Sequence, residues 1–156
     1  QAARRPGDIV LATLPWGGNG GYGITRRTRE FAHDLLDHAG VDLVHGHSSH
    51  HPLGIEVYRD KLILYGCGDF INDYEGIRGN EQYRDDLRVM YLPDLEASTG
   101  RLLALEMAVF QSYRFRLRDA SAEDVKWLAG EMNRESQRLG GAAIAVRDRG
   151  LVLRWD

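Results

Sequence analysis

Within its first 45 residues the chain lays out a strand, a helix and a second strand in direct succession, which restricts it to folds built on a parallel βαβ unit. Residues 8–14 are a short apolar run ended by the breakers Pro15, Gly17 and Gly18, the pattern of a buried strand. Thr25 is placed to cap a helix over residues 26–38, with Phe31, Ala32, Leu35, Leu36 and Ala39 on one face and Gly40 as its stop. Val41 to His45 then forms the second strand. Function in such units gathers where strands end at their carboxyl termini. Two unusual segments sit at those ends, PWGGNGGYG at residues 15–23 and HGHSSHH at residues 45–51.

Downstream, IEVY and LILY are apolar segments joined by Arg59, Asp60 and Lys61, read as a three-residue hairpin. Residues 75–86 are polar and fit a surface loop. Leu87 to Leu92 and Arg101 to Phe110 pair as strands around a turn at Gly100. YRFRLR at 113–118 alternates strictly, so Arg114, Arg116 and Arg118 are expected on one solvated face of an extended segment. Ser121 with Asp124 signals a helix start, and Val125, Leu128, Met132 and Leu139 form its apolar stripe before Gly140 and Gly141. AIAV and LVLRW close the chain as a last hairpin. The sum is an α/β fold with a mixed β-sheet and flanking helices, and residues 1–156 read as a single domain or part of one.

Composition narrows function by exclusion. With 20 basic and 23 acidic residues the net charge is −3, so there is no general basic footprint and no nucleic acid is expected as a partner. Lys61 and Lys126 are the only lysines, which leaves arginine as nearly the whole cationic inventory. The single Cys67 rules out an internal disulfide, and no apolar run approaches membrane-spanning length.

Chemistry is expected first in the histidine run. Four of the six histidines, His45, His47, His50 and His51, fall within it, and imidazole is the commonest metal ligand as well as the side chain that titrates near neutrality. Gly46, Ser48 and Ser49 let the backbone bend sharply, so His47 and His50 can converge on one metal ion. Two imidazoles do not complete a site. Further ligands must be carboxylates or amides such as Asp69, Asn72 or Asp73, or residues outside this chain.

A rival reading comes from GNGGYG at 18–23, which formally matches a dinucleotide-binding fingerprint. Pro15, Trp16 and Gly17 intervene between strand and motif, and Asp42 lies at the start of the second strand where a ribose-binding acid belongs near its end. Arg26, Arg27 and Arg29 crowd the first helical turn, against the macrodipole, and read as solvated unless an anion lies near them. Cys67 has no evident thiolate-stabilising partner and reads as structural.

Pro-Trp-Gly-Gly at 15–18, Gly-His-Ser-Ser-His-His at 46–51, Ile-Glu-Val-Tyr at 55–58 and Tyr-Gly-Cys-Gly-Asp-Phe at 65–70 together resemble the CapA family of capsule-synthesis proteins linked to poly-γ-glutamate. That family is similar to calcineurin-like metallophosphoesterases, so the resemblance implies the C-terminal half of a four-layer α/β/β/α sandwich with a two-metal site at the strand ends. It implies His47 and His50 as metal ligands, and His45 and His51 as acid–base or supporting groups. Trp16, Asn19, Asp69 and Asn72 would border the substrate, and the cofactor would be a pair of divalent ions such as Mn, Zn or Fe. The family's His-Trp-Gly is Pro15-Trp16-Gly17 here, so one expected ligand is missing, and its earlier Asp-containing and Asn-His-Asp motifs are not in this sequence. The expected partners are therefore an anionic polymer or phosphoester substrate and an N-terminal half of the same protein, in the cytoplasm or at the cell envelope. Two functions follow: a metal-dependent hydrolase, or a non-catalytic polyglutamate-binding scaffold with a degenerate site.

Overall fold

The structure is a computed structural model that describes residues 4–18, 20–72, 79 and 81–156. Asn19, Asp73 and most of the first half of the 75–86 loop lie outside the described residues. The opening unit forms as its sequence pattern requires. Strand β1 (Leu11–Pro15) pairs in parallel with β2 (Leu43–His47), and helix α1 (Arg26–His38) connects them. The Thr25 hydroxyl accepts from the Thr28 amide at 3.1 Å, and Gly40 follows the helix at φ 71°.

The first sheet is completed by β3 (Ile55–Tyr58) and β4 (Lys61–Leu64), in the order β1-β2-β4-β3. β4 is parallel to β2 and β3 antiparallel to β4, which makes the sheet mixed. The β3–β4 turn is tighter than the expected three residues: Arg59 and Asp60 alone occupy it, at φ 49° and 62°, and Lys61 already pairs with Tyr58. A two-residue turn with both residues left-handed matches the twist of the flanking strands.

The second sheet is antiparallel, with β5 (Leu87–Leu95), β6 (Leu102–Tyr113), β9 (Gly150–Arg154) and β8 (Ala143–Arg147) in that order, and β7 (Arg116–Asp119) also pairing with β6. The expected continuous strand over 113–118 is broken here. Arg114 and Phe115 adopt φ 50° and 58°, so the chain reverses and β7 returns along β6. Helix α2 (Ala122–Gly140) starts with the reciprocal Ser121–Asp124 capping box and ends at a left-handed Gly141.

Alternation along β2 and β4 divides the core in two. Leu43, Leu62 and Leu64 face the second sheet and α2, joining Leu105, Met107, Val125 and Met132. Val44, Ile63 and Tyr65 face α1, joining Ala32 and Leu36. Burying a leucine or isoleucine fully contributes roughly 1.5–3 kcal/mol, so the two-sided burial of β4 anchors the first sheet. Helix α2 packs on β8 and β9 and also reaches β3, bridging the two sheets. None of the described helices is long and apolar enough to cross a membrane.

Candidate metal-binding turn

The histidine run divides by strand alternation and by a sharp turn. His45 and His47, both in β2, share the face of Leu43, with ring centroids 6.1 Å apart. His45 Nδ1 lies 3.0 Å from the Thr13 hydroxyl on β1, and burial, with His47 nearby, lowers its pKa from the ordinary histidine value. Gly46 points the other way, into the α1 side. There the Trp16 indole N–H donates to the Tyr65 carbonyl at 2.8 Å, and its ring stacks on Tyr65 and meets Phe31 edge-on. A Cβ on Gly46 would lie inside both the indole nitrogen and that carbonyl, and one on Gly17 would strike the Ser49 backbone. The glycines and Trp16 thus let the two strand-end segments meet backbone to backbone.

Beyond His47 the chain takes a turn that non-glycine residues seldom adopt, with Ser48 at φ 77° and His50 at φ 61°. The Ser48 hydroxyl lies 3.1 Å from His47 Nδ1, and the fully buried Ser49 hydroxyl donates to the His51 carbonyl at 2.7 Å. His50 Nδ1 is 2.8 Å from Asp69 Oδ2. A carboxylate oxygen only accepts, so Nδ1 carries the proton of this bond. Asn72 donates to the same carboxylate oxygen. This carboxylate–imidazole pairing is the arrangement that commonly orients a metal-ligating histidine.

His51 is 1% exposed; its Nε2 donates to the Gly21 carbonyl at 2.9 Å, and its ring stacks on Tyr83 and meets Tyr22 edge-on. Burial lowers its pKa, which keeps the ring neutral and suited to that bond. It fastens the Gly-rich loop to the turn. Of the residues singled out from sequence, His50, Asp69 and Asn72 form one hydrogen-bonded set, His45 and His47 lie side by side on β2, Trp16 packs on Tyr65 and Phe31, and Asn19 is outside the described residues.

Two imidazoles on one turn, one of them fixed by a carboxylate, suit a borderline or hard divalent cation as donors. Among the described residues no group of three His, Cys, Asp or Glu side chains is arranged to hold a metal ion. The set fits part of a metal centre, and further donors are required to complete one.

Other expectations resolve clearly. Asp42 is fully buried and committed to Arg4 at 2.8 Å, Lys61 and the Val10 amide, so it faces the interior of the fold and not a ribose. Arg29 is not simply solvated: the anion near the first turn of α1 is Glu56, at 2.7 Å. Burial pushes the Cys67 thiol up to about 12, which leaves it protonated and unreactive at neutral pH.

Sequence reasoning missed two residues. Glu56 is buried and takes Arg29, His33 and Tyr65 as donors. Arg88, on β5, is 4% exposed; it donates to the Asn72 side-chain oxygen at 3.3 Å and stands 4.0 Å from Asp69. Its Nε and one terminal nitrogen have no hydrogen-bond partner among the described residues. Each unsatisfied buried donor costs about 1–3 kcal/mol. Burial pulls the Arg88 pKa down, against the attraction of Asp69. The available signal was a charge set between the core residues Leu87 and Val89.

A mixed-sheet α/β fold that gathers histidines at the carboxyl end of a parallel strand, on a turn braced by a carboxylate, defines an α/β class with a histidine-bearing strand end. Comparison with known proteins gives the family. The bacterial capsule synthesis protein family matches residues 1–74. Proteins from two strains of Mycobacterium tuberculosis, each named probable polyglutamine synthesis accessory protein, are 49% identical over 147 residues, 94% of this chain. The PGA biosynthesis protein CapA of Bacillus subtilis is 34% identical over 89 residues, covering 57% of this chain and 22% of that protein. The chain belongs to the CapA-type bacterial capsule synthesis family, and it spans 38% of the length of the mycobacterial relatives it matches.

Proposed function

We propose that this chain supplies the histidine motif of a metallophosphoesterase-type, metal-dependent hydrolase that acts in capsule or polyglutamate synthesis. The observation that carries the reading is the left-handed turn at the end of β2, where His47 and His50 lie three residues apart and Asp69 fixes the ring of His50. In it His47 and His50 are metal ligands, Asp69 and Asn72 hold His50, and His51 secures the adjoining loop. His45, half-buried beside Thr13 with a lowered pKa, is a neutral imidazole suited to accept a proton near pH 7. When bound, a pair of divalent ions would supply an activated water and stabilise charge on a phosphoryl or acyl oxygen. The remaining ligands would come from outside this chain, and the substrate would be a phosphoester or an anionic polymer of the polyglutamate type.

The test is cleavage of a phosphoester and of poly-γ-glutamate by the full-length protein with added Mn or Zn. The double variant His47→Ala, His50→Ala is expected to abolish it. Undiminished cleavage by that variant contradicts the assignment.

A second reading, a non-catalytic polyglutamate-binding scaffold, is favoured by Pro15 at the position of an expected ligand and by the word "accessory" in the mycobacterial relatives' names. Metal analysis separates the two. Tightly bound metal in the full-length protein supports the hydrolase, whereas metal-free protein that still binds polyglutamate supports the scaffold.

A further inference from the structure

Three described residues hold buried polar atoms without a hydrogen-bond partner: Arg29, Arg88 and Tyr91. Arg29 is otherwise closed on Glu56, and Tyr91 packs against the core between the sheets. Arg88 is different because its environment is the histidine turn. Leu87 and Val89 point into the core, so Arg88 leaves the strand on the opposite face and meets Asn72 and Asp69. A methionine would fill that space without burying a half-satisfied guanidinium. Asp69 in turn uses one oxygen, Oδ2, for both His50 Nδ1 and Asn72 Nδ2, so any drift of the carboxylate would turn the imidazole.

We propose that Arg88 is a positioning residue for the histidine turn. Through its bond to Asn72 and its charge beside Asp69, it holds the Asp69 carboxylate against His50 and thereby fixes His50 in the Nδ1–H tautomer, with Nε2 as the ligating nitrogen. The role toward metal rests on the reading of His50 as a ligand. The tautomer itself does not.

The experiment uses full-length protein labelled with 15N-histidine, in the wild type and in Arg88→Met, Arg88→Lys and Asp69→Asn. Two quantities are measured: the His50 ring-nitrogen shifts without metal, and the affinity for Zn and Mn by calorimetry. Loss of a supporting partner typically weakens metal binding by about 10–100-fold. Arg88→Met and Asp69→Asn are expected to show that loss together with a mixed His50 tautomer, and Arg88→Lys is expected to recover part of both. Wild-type affinity and an unmixed Nδ1–H tautomer in Arg88→Met would overturn the proposal. If wild-type protein binds neither ion, the metal reading fails, while the metal-free tautomer comparison still decides the role of Arg88. Should Arg88→Met not fold, Arg88→Gln carries the same two measurements, with the same expected and overturning results.

Discussion

Two clusters in this molecule are assembled from the same parts, a carboxylate, a histidine and an arginine, yet they are wired differently. Around Glu56, Arg29 and His33 stand one turn apart on α1, Tyr65 follows β4, and the carboxylate itself lies on β3. Both carboxylate oxygens are taken, Arg29 bonds directly, and it also reaches the Leu139 carbonyl at the end of α2. Around Asp69, the histidine, carboxylate and amide all come from connecting segments, and the arginine is held 4.0 Å from the carboxylate. The first cluster ties α1, β3 and α2 together. The second braces a strained turn. Residue types alone do not separate the two uses; the regularity of the elements that carry them does.

The largest expected effect falls where the Glu56 cluster meets the strand ends that carry the histidine turn. Tyr65 gives its hydroxyl to Glu56 and its carbonyl to Trp16, directly across from Gly46. Gly46→Ala should destabilise the protein by more than about 4 kcal/mol in chemical denaturation, because rigid backbone and indole leave the methyl no room. A loss under about 1 kcal/mol would mean that the strand ends meet less closely than described.

Next, removing each carboxylate should give opposite signatures. Glu56→Ala leaves Arg29 without its anion and is expected to cost about 3 kcal/mol of stability. Asp69→Ala, in a half-open site, should cost only about 1 kcal/mol while strongly weakening metal binding. Comparable stability losses with unchanged metal affinity would erase the distinction between tie and brace.

Acid should loosen the interior tie at Asp42. Burial raises the Asp42 pKa, but Lys61, the Val10 amide and Arg4 more than offset it, leaving the carboxyl below its ordinary value. Its stabilisation is therefore complete above about pH 4 and is lost as pH falls through the lower folded value. The stability–pH slope in that window should flatten in Asp42→Asn; an unchanged slope would remove Asp42 from the account.

The smallest effect concerns α2, whose end receives Arg29. Gly130 sits exposed within the helix with open space at its Cβ, so Gly130→Ala should stabilise by about 0.5–1 kcal/mol on thermal melting. A loss of stability would show that the helix is constrained there by something other than propensity.

Much of the fold is legible in the sequence because its signals are local. Thr25 and Gly40 bracket α1, Ser121 and Asp124 open α2, and apolar periodicity marks the strands. The reversal at Arg114 and Phe115 was not legible, because neither residue advertises a left-handed backbone and the alternation runs through the turn. The site was half legible. Histidine density and flanking small residues point to the turn, whereas the partners that fix it are distant: Asp69 lies 19 residues from His50, and Arg88 lies 16 from Asn72. Long-range pairing of this kind depends on how loops return to the sheet, which no short window encodes. His51, alike in sequence to its neighbours, is separated from them only by its burial against Tyr22 and Tyr83.

The central claim is that His47 and His50 ligate a metal ion from this turn. It is tested most directly by calorimetric titration of full-length protein with Zn and Mn, comparing wild type with His47→Ala, His50→Ala under conditions where both are folded. Loss of two imidazole ligands should weaken binding by at least about 100-fold. Wild-type affinity in the double variant would contradict the claim.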